Sequence, residues 1–338
     1  MDYKEMLLRA KENIGSKCRV CKECNGIACR GEIPGTGGKG SGDAFIRNFK
    51  KLDEIKLNMD TLYEAGNIDT SIELFGKSFK YPIFAAPIGA VNMHYSESLN
   101  DNTYSKAVVN GCKSAGTAAF TGDGVKDEFY ELPLRVIEEA GGWGVPTIKP
   151  WGQDEVLRKL RKAEEADAMA VAMDVDAAGL PILAAAGKPG GPKSVEQLRE
   201  LISSTKLPFI LKGIMTVKGA FKALEAGAYG VVVSNHGGRV LDQTPATVEV
   251  LPEIAAAVKG RMKIFIDGGI RTGIDVLKVI ALGADAVLIG RPYAVAAYGG
   301  AEEGVKAYTE KIGSELRDAM LMTGIKRLSE ADSSIIYK

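Results

Sequence analysis

The sequence predicts an α/β fold, a (β/α)8 TIM barrel behind an N-terminal cysteine-containing extension, on three observations. Short apolar runs alternate with helical patterns, as buried parallel strands and their crossovers do. Each run ends in polar or glycine residues, so successive strands bring Lys212, then Asn235, His236 and Arg239, then Asp267 and Arg271, then Arg291 to one edge. Barrels of this kind carry their chemistry at that edge. Finally, Gly268-Gly269 with Arg271, and Gly290 with Arg291, follow the last two runs. Phosphate binds there in such barrels, because backbone N–H groups and a short helix N-terminus point into one space. Glycine admits the anion closely, and arginine adds charge.

The 338 residues exceed the ~250 of a bare barrel, so residues 81–338 are assigned to the barrel and residues 1–80 to the extension. Zero net charge with 25% charged residues gives no reason to expect a nucleic-acid or membrane partner. There is no apolar run of ~20 residues, and Met1-Asp-Tyr-Lys-Glu is too charged for a signal peptide. A cytoplasmic location is expected. Four of the five cysteines fall between Cys18 and Cys29, which argues against a secreted disulfide framework.

In chain order, residues 2–14 read as a short helix with Met6, Leu7, Leu8 and Ile14 apolar. Cys18, Cys21, Cys24 and Cys29 follow, separated by two, two and four residues. Thiolates so close can converge on one centre; zinc, an iron–sulfur cluster and plain reduced thiols all suit the pattern. Residues 34–42 are glycine-rich, but Gly40 separates Lys39 from Ser41 and no strand precedes, so a Walker loop is excluded. A mobile covering loop is expected there, and a mixed segment over 44–65.

Strand one, Pro82–Pro87, ends in Ile88-Gly89-Ala90, with His94 beyond in a polar loop, expected in solvent with a role in the pocket as the alternative. Residues 103–115 make a helix with Cys112 in its core face. Strand two, Thr117–Phe120, presents Thr121; strand three, Val145–Lys149, ends at Pro150-Trp151 before a helix over 153–166. Strand four, Met169–Val175, carries Asp174 towards Asp176. A helix over 194–204, strand five ending at Lys212 and a helix over 216–227 come next. Strands six to eight then deliver Ser234 to Gly238, Asp267 and Gly290. A last helix runs from Glu302 to about Ile325, with Ala307, Ile312, Leu316, Met320 and Leu321 on its apolar side.

Ser234-Asn-His-Gly-Gly-Arg-Val-Leu-Asp242, Lys212-Gly213, Asp267-Gly-Gly-Ile-Arg271 and Ile289-Gly-Arg-Pro292 resemble the FMN-dependent α-hydroxy acid oxidase and dehydrogenase family, in its order and spacing from about residue 80 to 325. The glycolate oxidase and lactate dehydrogenase type is the nearest pattern. The resemblance implies FMN as cofactor, His236 as catalytic base with Asp176 as its partner, and Arg239 as the grip on a substrate carboxylate. It places Lys212 beside flavin N1 and O2, and Asp267, Gly268, Gly269, Arg271, Gly290 and Arg291 at the ribityl chain and phosphate. Pro87, Ile88, Gly89 and Ala90 sit where the family has a turn under the flavin ring; Thr121, Lys149, Asp174, Ser234 and Gly238 complete the implied cofactor site. A homotetramer is also implied.

The implied chemistry is consistent. A substrate hydroxyl loses its proton while a hydride equivalent leaves the adjacent carbon for flavin N5. Histidine titrates in the right range, and a carboxylate partner orients its ring. A cation near N1 favours the reduced flavin. Arginine fixes a carboxylate through paired hydrogen bonds.

The sequence also departs from the family. Cysteines replace its N-terminal tyrosine region, and Trp151 stands at its second tyrosine, as a candidate substrate wall. Lys149 replaces a glutamine and Asp174 a threonine. The second substrate arginine is missing from a short 177–193 loop, and Arg19, Arg30, Lys188 and Lys193 are candidate replacements. The function expected is oxidation of a 2-hydroxy acid to the keto product, with oxygen, a quinone or a protein as electron acceptor. The alternatives are an FMN-dependent isomerase of the type 2 isopentenyl-diphosphate isomerase kind and a non-catalytic flavin or metal sensor.

Overall fold

The computed structural model describes residues 1–188 and 190–337, and of Pro181 and Ile182 the backbone alone. Helix α1 (Tyr3–Ile14) starts at Asp2, whose carboxylate accepts from Lys4 N at 3.2 Å, and buries Met6, Ala10 and Ile14. The cysteine segment and the glycine-rich loop lead to α2 (Asp43–Glu54). The mixed segment expected over 44–65 is therefore a helix for half its length, with Ala44, Phe45, Asn48 and Leu52 on its buried face.

Strands β1 (Ile72–Leu74) and β2 (Lys77–Phe79) form an antiparallel hairpin around Phe75 and Gly76, both at positive φ. The barrel then follows as β3 (Ile83–Ala85), α3 (Val91–His94), α4 (Asp101–Ser114), β4 (Ala118–Thr121), α5 (Glu128–Glu139) and β5 (Val145–Ile148). It continues through α6 (Gln153–Glu165), β6 (Val171–Asp174), α7 (Pro181–Ala185), α8 (Val195–Ser203), β7 (Phe209–Ile214), α9 (Val217–Glu225) and β8 (Gly230–Val233). Helix α10 (Thr247–Val258), β9 (Lys263–Ile266), α11 (Gly273–Ala281), β10 (Ala286–Ile289) and α12 (Arg291–Met322) complete it. The last helix begins eleven residues before the expected Glu302, and Gly300 and Ala301 break it there with non-helical dihedrals.

All eight barrel strands pair in parallel and the sheet closes, β10 pairing with both β9 and β3. Phe84, Phe120, Ile210, Val232, Phe265 and Leu288 fill the interior. The hairpin closes the lower end: Phe75 stacks on Phe265 at 6.1 Å and Phe79 meets Phe84 edge-on at 5.0 Å. At the upper end β6 and β7 set Asp174 opposite Lys212. A register shift after Lys212 accompanies Gly213, where an added Cβ would lie 2.5 Å from Asp176. Any side chain at 213 would evict Asp176 from the barrel mouth.

Candidate active site

An ionic network fills the centre of the upper mouth. Asp174 receives Lys149 Nζ on Oδ2 at 2.6 Å and lies 3.0 Å from Lys212 Nζ through Oδ1, the latter an ion pair without hydrogen-bond alignment. Lys212 Nζ is also 3.7 Å from Asp267 Oδ2, which accepts from Ser234 Oγ at 2.8 Å. Burial pushes the Asp174 carboxyl up, but Lys149 and Lys212 outweigh it and hold the group far below the usual range. Lys212 is held above its usual range, because Asp174, Asp176 and Asp267 prevail over its burial. Asp267 is raised, its burial outweighing the help of Lys212 and Ser234.

His236 stands beside this network on the turn after β8. Its Nδ1 is 2.9 Å from Asp176 Oδ1, and its backbone N–H donates to Ser234 Oγ at 3.0 Å. The residue holds φ 57°, a left-handed conformation that a non-glycine residue adopts at a cost. Ser234 thus braces both Asp267 and the histidine turn. The structure brings together His236, Asp176, Lys212, Lys149, Asp174, Ser234 and Asp267.

Four buried oxygens there have no hydrogen-bond partner among the described residues: Asp174 Oδ1, Asp176 Oδ2, Asp267 Oδ1 and Thr121 Oγ1. Buried polar atoms are rarely left so, and orphans at a cleft mark places where a bound group completes the network. Asp174, Asp176 and His236 also bring three ligand atoms within 4.8 Å of one another. Two ammonium groups on Asp174 make that trio a poor cation site.

A cavity of about 170 Å³ opens above the network, lined by Pro87, Ile88, Gly89, Ala90, Lys212, His236, Arg239, Asp267, Gly268, Gly269, Arg271, Gly290 and Arg291, among others. The glycines differ in their reasons. At Gly269 an added Cβ would sit 2.3 Å from Asn48 O, so α2 by itself demands glycine there. At Gly290 it would meet only Ala86, at 3.7 Å, so packing makes no such demand and the open side faces the cavity.

The glycine-rich loop is docked rather than merely covering. Arg239 Nη1 donates to Gly35 O at 2.7 Å, and Arg291 donates to Thr36 O at 2.6 Å and Gly37 O at 3.0 Å. Lys39 N donates to Gly238 O at 2.8 Å, and Lys39 Nζ to Val240 O at 2.7 Å. The expectation of mobility missed that two buried guanidinium groups need acceptors, which loop carbonyls supply. Arg291 further stacks over Phe45 of α2 at 3.7 Å. Burial, reinforced by Arg291, pushes Arg239 down to about 10, still cationic at neutral pH. Arg271 donates to Cys24 O at 2.9 Å and Ile270 O at 2.7 Å.

Two side chains sit elsewhere than expected. His94 is not in solvent: it lines the cavity, with Nδ1 3.3 Å from Arg239 Nη2. Burial and the neighbouring Arg239 push it down to about 3, which keeps the ring neutral and lets Nδ1 accept. Trp151 is not among the residues lining the cavity. Its indole N–H donates to Asp123 Oδ2 at 2.7 Å, behind the wall. Asp123 and Lys159, joined at 2.6 Å, were not singled out from sequence, nor was Asn48, whose amide pairs with Asn235 at 2.7 Å. An aspartate after Gly122 at a strand end was the available signal for Asp123.

Of the candidate replacement charges, Arg19 is committed to Glu32 through both of its terminal nitrogens. Arg30 packs its aliphatic stem on Gly42. Lys193 Nζ donates to Pro150 O at 3.2 Å. Lys188 Nζ donates at 3.2 Å to Val125 O, on the cavity wall. Pro189, within the same 177–193 loop, lies outside the described residues.

The four clustered cysteines line a second, larger cavity of about 630 Å³. The zinc expectation finds no support here: tetrahedral Zn–S bonds of about 2.3 Å need sulfurs about 3.8 Å apart. No three of these sulfurs come within even 4.8 Å of one another among the described residues. Cys112 is buried in the core face of α4, as expected.

The sequence profile of the FMN-dependent dehydrogenase family matches residues 35–186 and 184–338, and the chain belongs to that family. It is an FMN-dependent enzyme acting on CH–OH groups. Among its relatives, the 4-hydroxymandelate oxidase of Amycolatopsis orientalis is 32% identical, the alignment covering 90% of this chain and 94% of that one. A 2-hydroxyacid oxidase of Dictyostelium discoideum is 51% identical over 140 residues, which cover 41% of this chain and only 36% of the relative. The crystal structure of mandelate oxidase superposes with a TM-score of 0.82 at 27% identity, covering 99% of this chain and 97% of the other. The orphan oxygens, the buried cations and the open side of Gly290 fit FMN at this mouth.

Proposed function

We propose that the chain oxidises a 2-hydroxy acid to the 2-keto acid, with His236 as the base that takes the hydroxyl proton. The observation that carries this reading is the His236–Asp176 contact at 2.9 Å on a cavity wall shared with Arg239 and Lys212. FMN, when bound, supplies the hydride acceptor. Asp176 fixes the tautomer in which Nδ1 carries a hydrogen, leaving Nε2 to accept the substrate proton, and it stabilises the imidazolium that results.

Arg239 and neutral His94 form a joint recognition pair. Three guanidinium contacts occupy part of a five-donor group, and the remainder faces a carboxylate. Thr121, Asp267 and Ser234 would hold the cofactor's polar chain, Lys149 and Lys212 its pyrimidine side, and Arg271, Gly290 and Arg291 its phosphate. The same reading includes a cytoplasmic location, in keeping with the free cysteines, and a homotetramer, which the family resemblance implies. Among the described residues no helix is long and apolar enough to cross a membrane. The isomerase and the sensor are not favoured, because the relatives are oxidases and dehydrogenases.

The test is an anaerobic absorbance titration of the purified flavoprotein with a panel of 2-hydroxy acids. One acid should bleach the flavin, and His236→Ala should retain FMN while losing that bleaching. Retained bleaching in the variant would sink the base assignment; no bleaching by any acid in the parent would sink the reaction.

A further inference from the structure

We propose that Cys18, Cys21, Cys24 and Cys29 bind an iron–sulfur cluster through which electrons leave the flavin site for a one-electron carrier protein. All four line one cavity, whose volume of about 630 Å³ far exceeds what a single metal ion needs. Their sulfurs stand too far apart for one tetrahedral ion, as shown above. Thiolates around a multi-iron cluster are held further apart, because sulfide-bridged irons lie between them.

The charge of the cavity suits such a group, since four thiolates and bridging sulfides leave a cluster net negative. Arg271 Nη2 lies 3.7 Å from Cys24 Sγ, and Arg291, Lys278 and Lys311 line the same space.

Position gives the function. Gly269, Arg271 and Arg291 line both this cavity and the active-site cavity, so the two share a wall. Cys21 is exposed, which opens the far side of the centre to a docking protein. Each oxidation of a hydroxy acid releases two electrons and two protons. The electrons cross the cluster singly, so it is reduced and reoxidised twice, two carrier molecules are each reduced once, and the protons pass to water. The inference rests on the proposed oxidation for its electron source but not for its metal.

The test is iron, acid-labile sulfide and zinc analysis of protein purified anaerobically, with electron paramagnetic resonance after dithionite reduction. Iron and sulfide should appear in equal amounts, about two or about four of each per chain. A paired Cys18→Ser and Cys21→Ser variant should lose them and the resonance, keep FMN, and still be bleached by the hydroxy acid. It should also lose the parent's reduction of a one-electron carrier such as cytochrome c. Zinc without iron, or four titratable thiols in metal-free parent protein, would overturn the proposal. A cluster present in a parent that no hydroxy acid bleaches would uphold the metal site and count against the reaction instead.

Discussion

Two buried carboxylate clusters lie at the same barrel mouth, and they are built differently. Asp123 accepts from Lys159 Nζ at 2.6 Å, Trp151 Nε1 at 2.7 Å, Gly124 N at 2.8 Å and Lys149 N at 2.9 Å. Its capacity is filled on every side. Asp176 and Asp267, a few residues along the rim, each keep one buried oxygen without a partner. A carboxylate satisfied by the protein is a strut that ties strand ends together. One left short by the protein, in the same low-dielectric setting, is kept for something that arrives. Lys149 joins the two clusters, its backbone on Asp123 and its ammonium on Asp174.

The largest expected effect comes from breaking the strut. Lys159→Met leaves Asp123 as an unpaired charge in a site where both side chains are almost wholly buried. A loss of about 3–5 kcal/mol is expected, read as a lower urea midpoint. On the other side, Asp176→Asn should leave the urea midpoint nearly unchanged while turnover falls by roughly 10²-fold or more. If both variants lost stability equally, the division into strut and reserve would fail.

A smaller effect is expected at Ser234, which serves the reserve cluster alone. Ser234→Ala removes the donor to Asp267 and the acceptor for His236 N, at a cost of about 1–3 kcal/mol, with weaker FMN retention on gel filtration. The effect of pH on His94 has a definite sign. Its folded value of about 3 lies below the ordinary 6.5, so the unfolded chain binds the extra proton. Stability is therefore full above about 6.5 and is lost as pH falls towards 3. His94→Gln should flatten that acid limb in denaturation midpoints measured between those values. Smallest of all, Arg47→Ala breaks an exposed ion pair to Glu249 and should change stability by no more than about 1 kcal/mol.

Much of this was legible in the sequence, for local reasons. Eight apolar runs with polar ends fix eight strands, and Lys212, His236 and Asp267 declare themselves by standing at those ends. What was not legible depends on partners far away in the chain. Asn48 meets Asn235 across 187 residues, and Arg239 meets Gly35 across 204. Nothing near residue 35 announces that its carbonyl answers a buried guanidinium. The choice between solvent and pocket for His94 was hidden for the same reason, since it contacts Arg239, 145 positions later. Trp151 was placed correctly along the chain but on the wrong side of the wall, because Asp123 draws its N–H inward.

The hairpin beneath the barrel has a kinetic consequence. Phe75 and Phe79 close the lower end with aromatic packing, so among the described residues small molecules reach the cavity from the upper mouth. A keto product must then vacate that doorway before a small-molecule oxidant can take its place. Steady-state rates with such an oxidant should give parallel double-reciprocal lines, the mark of a two-stroke cycle. A partner drawing electrons through the cysteine lobe would not wait for the doorway, and its lines should converge.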